Sequence, residues 1–210
     1  MGYPQAPWTL KGYAFLSLHL IDIAKASPFI PVELAIIPSL PGKTLGGVYL
    51  SQYTNGSDLT YNELIVVAGL VNWQGTIGSW VSHIYVDNSD SVAGGREIWG
   101  LPKEMATFRW ESGESGSVTV RQGDQLLCTL RSTGRLSLLR QRFSFPSFSR
   151  QNGSFLQFIS TAQANFGLVK ASLDIPQSSP FGGLIDSSPL MSVSADSLDL
   201  KVDAPRIVGK

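Results

Sequence analysis

Cysteine and histidine are nearly missing from this chain: Cys128 is its lone cysteine, and His19 and His83 are its only histidines. An intrachain disulfide, a Cys-x-x-Cys metal knuckle and a dithiol redox pair are thereby excluded. A metal centre would have to lean on carboxylates, and these show no clustered ligand pattern, so no metal is expected. An excess of one charge is missing too, because 16 Lys and Arg balance 16 Asp and Glu. The broad positive field with which nucleic-acid binders collect phosphates is therefore lacking, and no nucleic-acid partner is expected. The local run of Arg131, Arg135, Arg140 and Arg142 reads as a solvated strand or turn face. No apolar stretch approaches the ~20 residues of a membrane span, which argues against stable membrane insertion. The opening Met1–Trp8 segment lacks the basic start and apolar run of a secretory signal, so the expected location is cytoplasmic, with a plastid as the alternative. Asn55-Gly-Ser57 and Asn152-Gly-Ser154 fit the glycosylation pattern, but without a secretory signal they read as Asn-Gly turns.

What the chain does have is Gly and Pro spread throughout, 21 and 12 of them, punctuating apolar segments of strand length. That spacing predicts one mainly β domain over residues 1–210, a barrel or sandwich and not a helical bundle or a βαβ array. Strands are expected at Tyr13–Leu20, Leu34–Ile37, Leu45–Tyr53, Tyr61–Val71 and Trp80–Val86. Further strands are expected at Ala106–Glu111, Ser117–Gln122, Gln125–Arg131 and Leu190–Val202, with Gly-containing turns between the three short ones. Tyr61–Val71 is almost continuously apolar, as for a strand covered on both faces, and its one charged residue is Glu63. Asp22–Ala26 suits a short helix stopped by Pro28. Asp87-Asn-Ser-Asp90 supplies N-cap side chains for a second helix through Ser91–Trp99, ended by Gly100 and Pro102. The alternation Phe143-Ser-Phe-Pro-Ser-Phe-Ser149 reads as an edge segment or an exposed aromatic flap. Cys128, in Gln125–Leu130, reads as a small buried hydrophobe.

Chemistry concentrates in Gly95-Arg-Glu-Ile-Trp-Gly-Leu-Pro-Lys-Glu-Met105. A helix end, a Gly hinge and a Pro-fixed extended turn deliver Lys103 amid Trp99, Leu101 and Met105. Apolar flanks desolvate an amine and disfavour its charged form. A neutral lysine amine can attack a ketone or aldehyde to form a Schiff base, whose iminium is an electron sink. Residue chemistry alone equally fits a surface lysine whose stem snorkels over apolar neighbours.

Gly95-Arg-Glu-x-x-x-x-Pro-Lys103 resembles the active-site segment of acetoacetate decarboxylases, in which Gly-Arg-Glu precedes a Pro-Lys-Lys run and the first lysine forms the Schiff base. Ile84-Tyr-Val-Asp-Asn88 resembles the strand leading into that segment, and Tyr61-Asn-Glu63 the place of a catalytic carboxylate. A second set of segments resembles the neoxanthin-deficient-protein-like branch of the same superfamily: Pro7-Trp8, Leu18-His-Leu20, Thr44-Leu-Gly-Gly47, Asn62–Leu70 and Gly100-Leu-Pro102. The resemblance implies an acetoacetate-decarboxylase-like antiparallel β-barrel, α+β in class, with a few short helices. It implies Lys103 as nucleophile and Glu63 as proton-transfer partner, with Arg96, Trp99, Leu101, Met105 and Glu104 around the substrate. No external cofactor is implied, since the lysine is the electron sink. The substrate would be a keto acid or other carbonyl compound, changed by decarboxylation or aldol-type chemistry, and the assembly a homo-oligomer.

The departures from the pattern are informative. Glu104 stands where the family has its second lysine. It would hold Lys103 charged if it faced the pocket, whereas neighbours in an extended segment point to opposite sides. The family's N-terminal arginine has no match nearer than Lys11, and a further family carboxylate falls near Val48. A less charged pocket follows. It leaves room for a second reading, a non-catalytic barrel that binds an apolar, isoprenoid-like ligand.

Overall fold

The computed structural model describes residues 2–111 and 115–210. In chain order the strands are β1 (Trp8–Asp22), β2 (Ala35–Ile36), β3 (Lys43–Tyr53), β4 (Tyr61–Trp73), β5 (Thr76–Val86) and β6 (Lys103–Met105). They continue with β7 (Thr107–Glu111), β8 (Ser115–Gln122), β9 (Gln125–Gln151), β10 (Ser154–Asp174), β11 (Met191–Val202) and β12 (Arg206–Gly209). Helix α1 (Ile23–Ala26) runs into a 3-10 turn at Ser27–Phe29, and α2 covers Ser89–Trp99. The strands expected from the apolar runs are present, with β1 and β5 longer than expected. The turn expected between β7 and β8 falls largely on residues 112–114, outside the described residues.

Among the described residues the strands form one sheet in the order β12-β10-β11-β1-β3-β4-β5-β9-β8-β7, and a further β9–β10 pairing closes β10-β11-β1-β3-β4-β5-β9 into a ring. The ring is antiparallel except at its seam, where only Ser79–Trp80 of β5 and Ser147–Phe148 of β9 pair, in parallel. β6 also lies parallel to β5. Parallel neighbours need a crossover connection, and α2 supplies it between β5 and β6. Beyond the seam, β8 and β7 continue from the first part of β9 and fold over the outside of the ring. Val118, Val120, Leu127 and Leu130 there pack with Val48, Leu50, Leu64 and Val66 in one buried cluster.

Strand alternation divides β4 between two environments. Leu64, Val66 and Ala68 belong to the outer cluster, whereas Tyr61, Glu63, Ile65 and Val67 face the lumen. Both faces are thus covered, as the near-continuous apolar run implies.

The sequence pattern did not disclose the length of β9 and β10. Asn152 (φ 50°) and Gly153 (φ 78°) form the tight turn between them, both in the left-handed region that an Asn-Gly hairpin turn uses. The two strands then pair from Ser154↔Gln151 to Asp174↔Thr129. The arginine-rich run therefore lies in β9, and Phe143–Ser149 is a strand segment, with Phe148 buried in the outer cluster. Cys128 is fully buried in the same cluster, and burial pushes its thiol up to about 12.

Candidate active site

Helix α2 closes one end of the ring. Asn88 caps it, its side-chain oxygen accepting from the Asp90 and Ser91 backbone N–H groups. At its far end Gly100 takes the left-handed conformation (φ 62°). The Gly100 and Leu101 N–H groups bond back to Arg96 and Gly95 carbonyls, the paired bonds of a Schellman termination. Ser91, Gly94 and Gly95 share one buried face of the helix, as their i, i+3, i+4 spacing requires. Glycine in a helix interior costs about 1 kcal/mol relative to alanine, so this pair of glycines needs a compensating contact. A Cβ on Gly94 would lie 2.6 Å from the Trp8 ring, and one on Gly95 would lie 2.4 Å from Cδ of Lys103. The two glycines let the helix sit directly on the lysine stem and the Trp8 ring.

Pro102 leads into β6, and Lys103 pairs with Ile84 of β5. Its side chain enters the floor of the ring, and the residue is 3% exposed. The ammonium donates to Glu63 Oε1 at 2.8 Å and to Ser91 Oγ at 2.9 Å. The rings of Tyr61 and Trp8 flank it, with centroids 4.9 and 5.7 Å from Nζ, close enough for cation–π attraction. The other Glu63 oxygen accepts from the Tyr53 hydroxyl at 3.1 Å, and Tyr53 in turn meets the Tyr49 hydroxyl at 3.2 Å. Burial first, then the nearby charges, push Tyr53 and Tyr61 well above the ordinary tyrosine value. Tyr53 therefore stays protonated and acts as a donor to Glu63.

The Lys103–Glu63 pair, with side chains 4% and 5% exposed, is not explained by stability. Apolar residues of similar volume are often equal or better in such a place, while removing one partner costs about 3–5 kcal/mol. A buried, complete ion pair facing an open cavity is an arrangement to which chemistry gives a use.

That cavity is the lumen of the ring, about 570 Å³. At its closed end the Trp8 and Trp99 rings meet edge to face at 4.8 Å. Its walls are largely aliphatic, and the Ser79 and Ser147 hydroxyls on them bond to each other at 2.7 Å. Ile77, Phe143 and Met191, each more than 40% exposed, mark the open end.

The residues singled out from sequence fall into two groups. Lys103, Glu63, Trp99 and Leu101 line the lumen. Arg96, Glu104 and Met105 lie outside its lining. The Arg96 Nε donates to the Lys103 carbonyl at 2.7 Å, clamping the strand that carries the lysine. Glu104 is exposed and accepts from Gln122 at 2.7 Å, and Met105 is 47% exposed. Lys103 meets Glu63, Ser91, Tyr61 and Trp8, four residues from outside its own segment. Sequence reasoning missed Ser91, Tyr53 and Tyr61 as site residues. The Ser-x-x-Gly-Gly face of α2, and tyrosines in phase with Glu63 along β3 and β4, were the available signals. Among the described residues no three His, Cys, Asp or Glu side chains gather as a metal site, and no helix is long and apolar enough to cross a membrane.

With this geometry in view, the comparison with known proteins is decisive for the family. The acetoacetate decarboxylase (ADC) family matches residues 2–166, well over half of the chain. The chain belongs to the acetoacetate decarboxylase family. The tomato (Solanum lycopersicum) Protein NEOXANTHIN-DEFICIENT 1 is 36% identical over 108 residues, which make up 51% of this chain and 36% of that protein. An acetoacetate decarboxylase of Ralstonia nicotianae is 26% identical over 113 residues, 53% of this chain and 44% of that enzyme. The matched segments thus span less than half the length of these relatives. Among solved structures, the acetoacetate decarboxylase of Legionella pneumophila superposes with a TM-score of 0.82 at 15% identity, covering 100% of this chain and 90% of that one. The enduracididine biosynthesis enzyme MppR, complexed with pyruvate, superposes with a TM-score of 0.73 at 14% identity, covering 98% and 91%. At these identities the likeness establishes a shared fold.

Proposed function

We propose that this protein is a Schiff-base enzyme in which Lys103 attacks the carbonyl carbon of a small-molecule substrate and Glu63 moves the protons. The observation that carries the reading is the buried Nζ–Oε1 contact of 2.8 Å at the floor of an open cavity. Glu63 takes one proton from the ammonium, and the freed amine adds to the carbonyl carbon while a second nitrogen proton passes to the carbonyl oxygen, giving a carbinolamine. Glu63 then returns that proton to the carbinolamine hydroxyl, which leaves as water. The nitrogen keeps one proton, so the product is an iminium with the charge the ammonium had. Tyr53, donating to the other Glu63 oxygen, holds the carboxylate in place between the two transfers. The iminium draws electrons from a bond at the adjacent carbon, which permits either decarboxylation or aldol-type bond change. Because the lysine supplies the electron sink, no external cofactor is needed.

Reversible Schiff-base formation exchanges the substrate's carbonyl oxygen with solvent. In heavy-oxygen water the protein should accelerate label uptake into a ketone or keto acid, and Lys103→Ala should reduce uptake to the uncatalysed rate. Equal acceleration by the variant would refute the reading.

A second reading has its own support in the aliphatic walls of the lumen: a non-catalytic carrier of an apolar, isoprenoid-like ligand on the same fold. The NEOXANTHIN-DEFICIENT 1 relatives, by their name, accord with it. It predicts ligand retention in Lys103→Ala. Self-association is part of the proposal under either reading. Between Gly134 and Pro146, β9 pairs only with β10 among the described residues, and Leu136 and Leu139 there are 66% and 79% exposed. An unpaired strand edge with exposed leucines is a pairing surface for another chain. Sedimentation velocity should show an oligomer that Leu139→Glu weakens.

A further inference from the structure

The lumen narrows the class of carbonyl compound, an inference that rests on the Schiff-base reading of Lys103. Among the described residues its charged lining consists of Lys103 and Glu63, which balance each other at 2.8 Å. An iminium carries the same single positive charge as the ammonium it replaces, so Glu63, a carboxylate again once it has returned its proton, is its counter-ion. A substrate carboxylate would enter as a second buried anion with no cation to meet it. Arg96 is turned to the Lys103 carbonyl outside the lining. Burying an unpaired charge is costly, so the floor selects against keto acids.

The walls add a second constraint. From Glu63 to Leu70 on β4, both lining the lumen, a strand rise of about 3.3 Å per residue gives a path of about 23 Å. A strand tilt of about 40° shortens this to about 18 Å along the ring axis. Over that depth the lumen offers aliphatic and aromatic side chains, with polar groups gathered at the floor apart from a few serine hydroxyls on the walls. Ser79 and Ser147 are already bonded to each other and make little demand on a passing ligand. A small polar substrate would leave this apolar length filled with water or empty.

We infer that the substrate is an uncharged aldehyde or ketone with a long apolar chain, its carbonyl at Lys103 and its chain running along the ring toward Ile77 and Met191. With no carboxyl group to lose, the iminium would instead weaken a C–H or C–C bond at the adjacent carbon. Glu63 is placed to receive a proton released there, and the electron pair passes to the iminium nitrogen as an enamine.

Borohydride trapping across a panel tests this: methyl nonyl ketone, acetone, acetoacetate and pyruvate, each titrated with the intact protein and scored by adduct mass on Lys103. Methyl nonyl ketone should half-saturate labelling at a concentration lower by about tenfold or more than the other three, since each methylene withdrawn from water adds affinity. Val67→Trp, which narrows the middle of the lumen, should erase that advantage of methyl nonyl ketone over acetone. Ala162→Phe, on the opposite wall, repeats the test should the first variant fold poorly. Keto acids labelling Lys103 at equal or lower concentration, or an advantage indifferent to both obstructions, would overturn the inference. No label from any compound would instead refute the Schiff-base reading, and with it the carbonyl head group. Calorimetric binding of methyl nonyl ketone that Val67→Trp abolishes would then still assign the lumen to a long apolar chain, and absence of binding would overturn that assignment as well.

Discussion

Truncating Lys103 would leave the Glu63 carboxylate buried, with Tyr53 as its remaining hydrogen-bond donor in the structure. Lys103→Ala should therefore lower unfolding stability by about 3–5 kcal/mol, the usual cost of orphaning half of a buried pair. The double variant Lys103→Met/Glu63→Gln removes both charges at similar volume and should recover most of that loss, while forming no adduct at position 103. Urea unfolding of the wild type and both variants measures the comparison. A double variant as unstable as the single one would mean that the pair holds the fold together for its own sake. At this scale much of the site was legible in the sequence: Glu63 was conspicuous as a lone charge in an apolar strand, and Lys103 through its Gly-Arg-Glu…Pro-Lys setting. Ser91 and Tyr53 were not, because a serine on a helix and a tyrosine on a strand have many ordinary uses. Only their convergence on Lys103 and Glu63 distinguishes them, and that depends on how α2 and β3 pack.

Helix α2 and strand β6 act as one device, a lid whose underside is smooth enough for the lysine to pass beneath it. Gly95→Ala tests the device. The added Cβ would fall 2.4 Å from Lys103 Cδ, and since the lysine is enclosed, either the helix lifts or the Nζ leaves Glu63. Stability should fall by about 1–3 kcal/mol, as for overpacking elsewhere, despite the gain in helix propensity. Hydrogen exchange of the Arg96 Nε–H should report loosening of its bond to the Lys103 carbonyl. A variant as stable as the wild type, with unaltered labelling at Lys103, would contradict this account of the close approach. The elements themselves were visible in the sequence where alternation or capping was strong, as in β4, β5 and α2. The continuation of β9 and β10 was hidden for a physical reason. From Thr133 to Arg142 β9 is exposed along its length, so burial imposes no period of two on its residues.

The whole molecule carries a pH dependence of its own. His19 is buried beneath the ring wall, its ring nitrogens bonded to Ser17 and to the Ser187 carbonyl. Desolvation lowers its pKa below the ordinary 6.5, with the Ser187 bond opposing in part. Desolvation lowers His83 likewise, against a smaller upward pull from Glu104. For a depressed histidine the unfolded state binds the proton more readily, so stability is full above about pH 6.5 and is lost as the pH falls below it. Urea midpoints should decline from pH 7 toward pH 5, and His19→Gln should flatten the decline; a midpoint that rises with acid would contradict the assignment. The closed ring, the lid and the buried Lys103–Glu63 pair converge on one atom, the Nζ of Lys103. The most direct measurement is borohydride reduction of the folded protein in the presence of a carbonyl compound, followed by peptide mapping. The account predicts a reduced adduct on Lys103 that is absent in Lys103→Ala and scarce in Glu63→Gln. Labelling spread over the exposed lysines, with Lys103 untouched at a pH where free amines react, would contradict it.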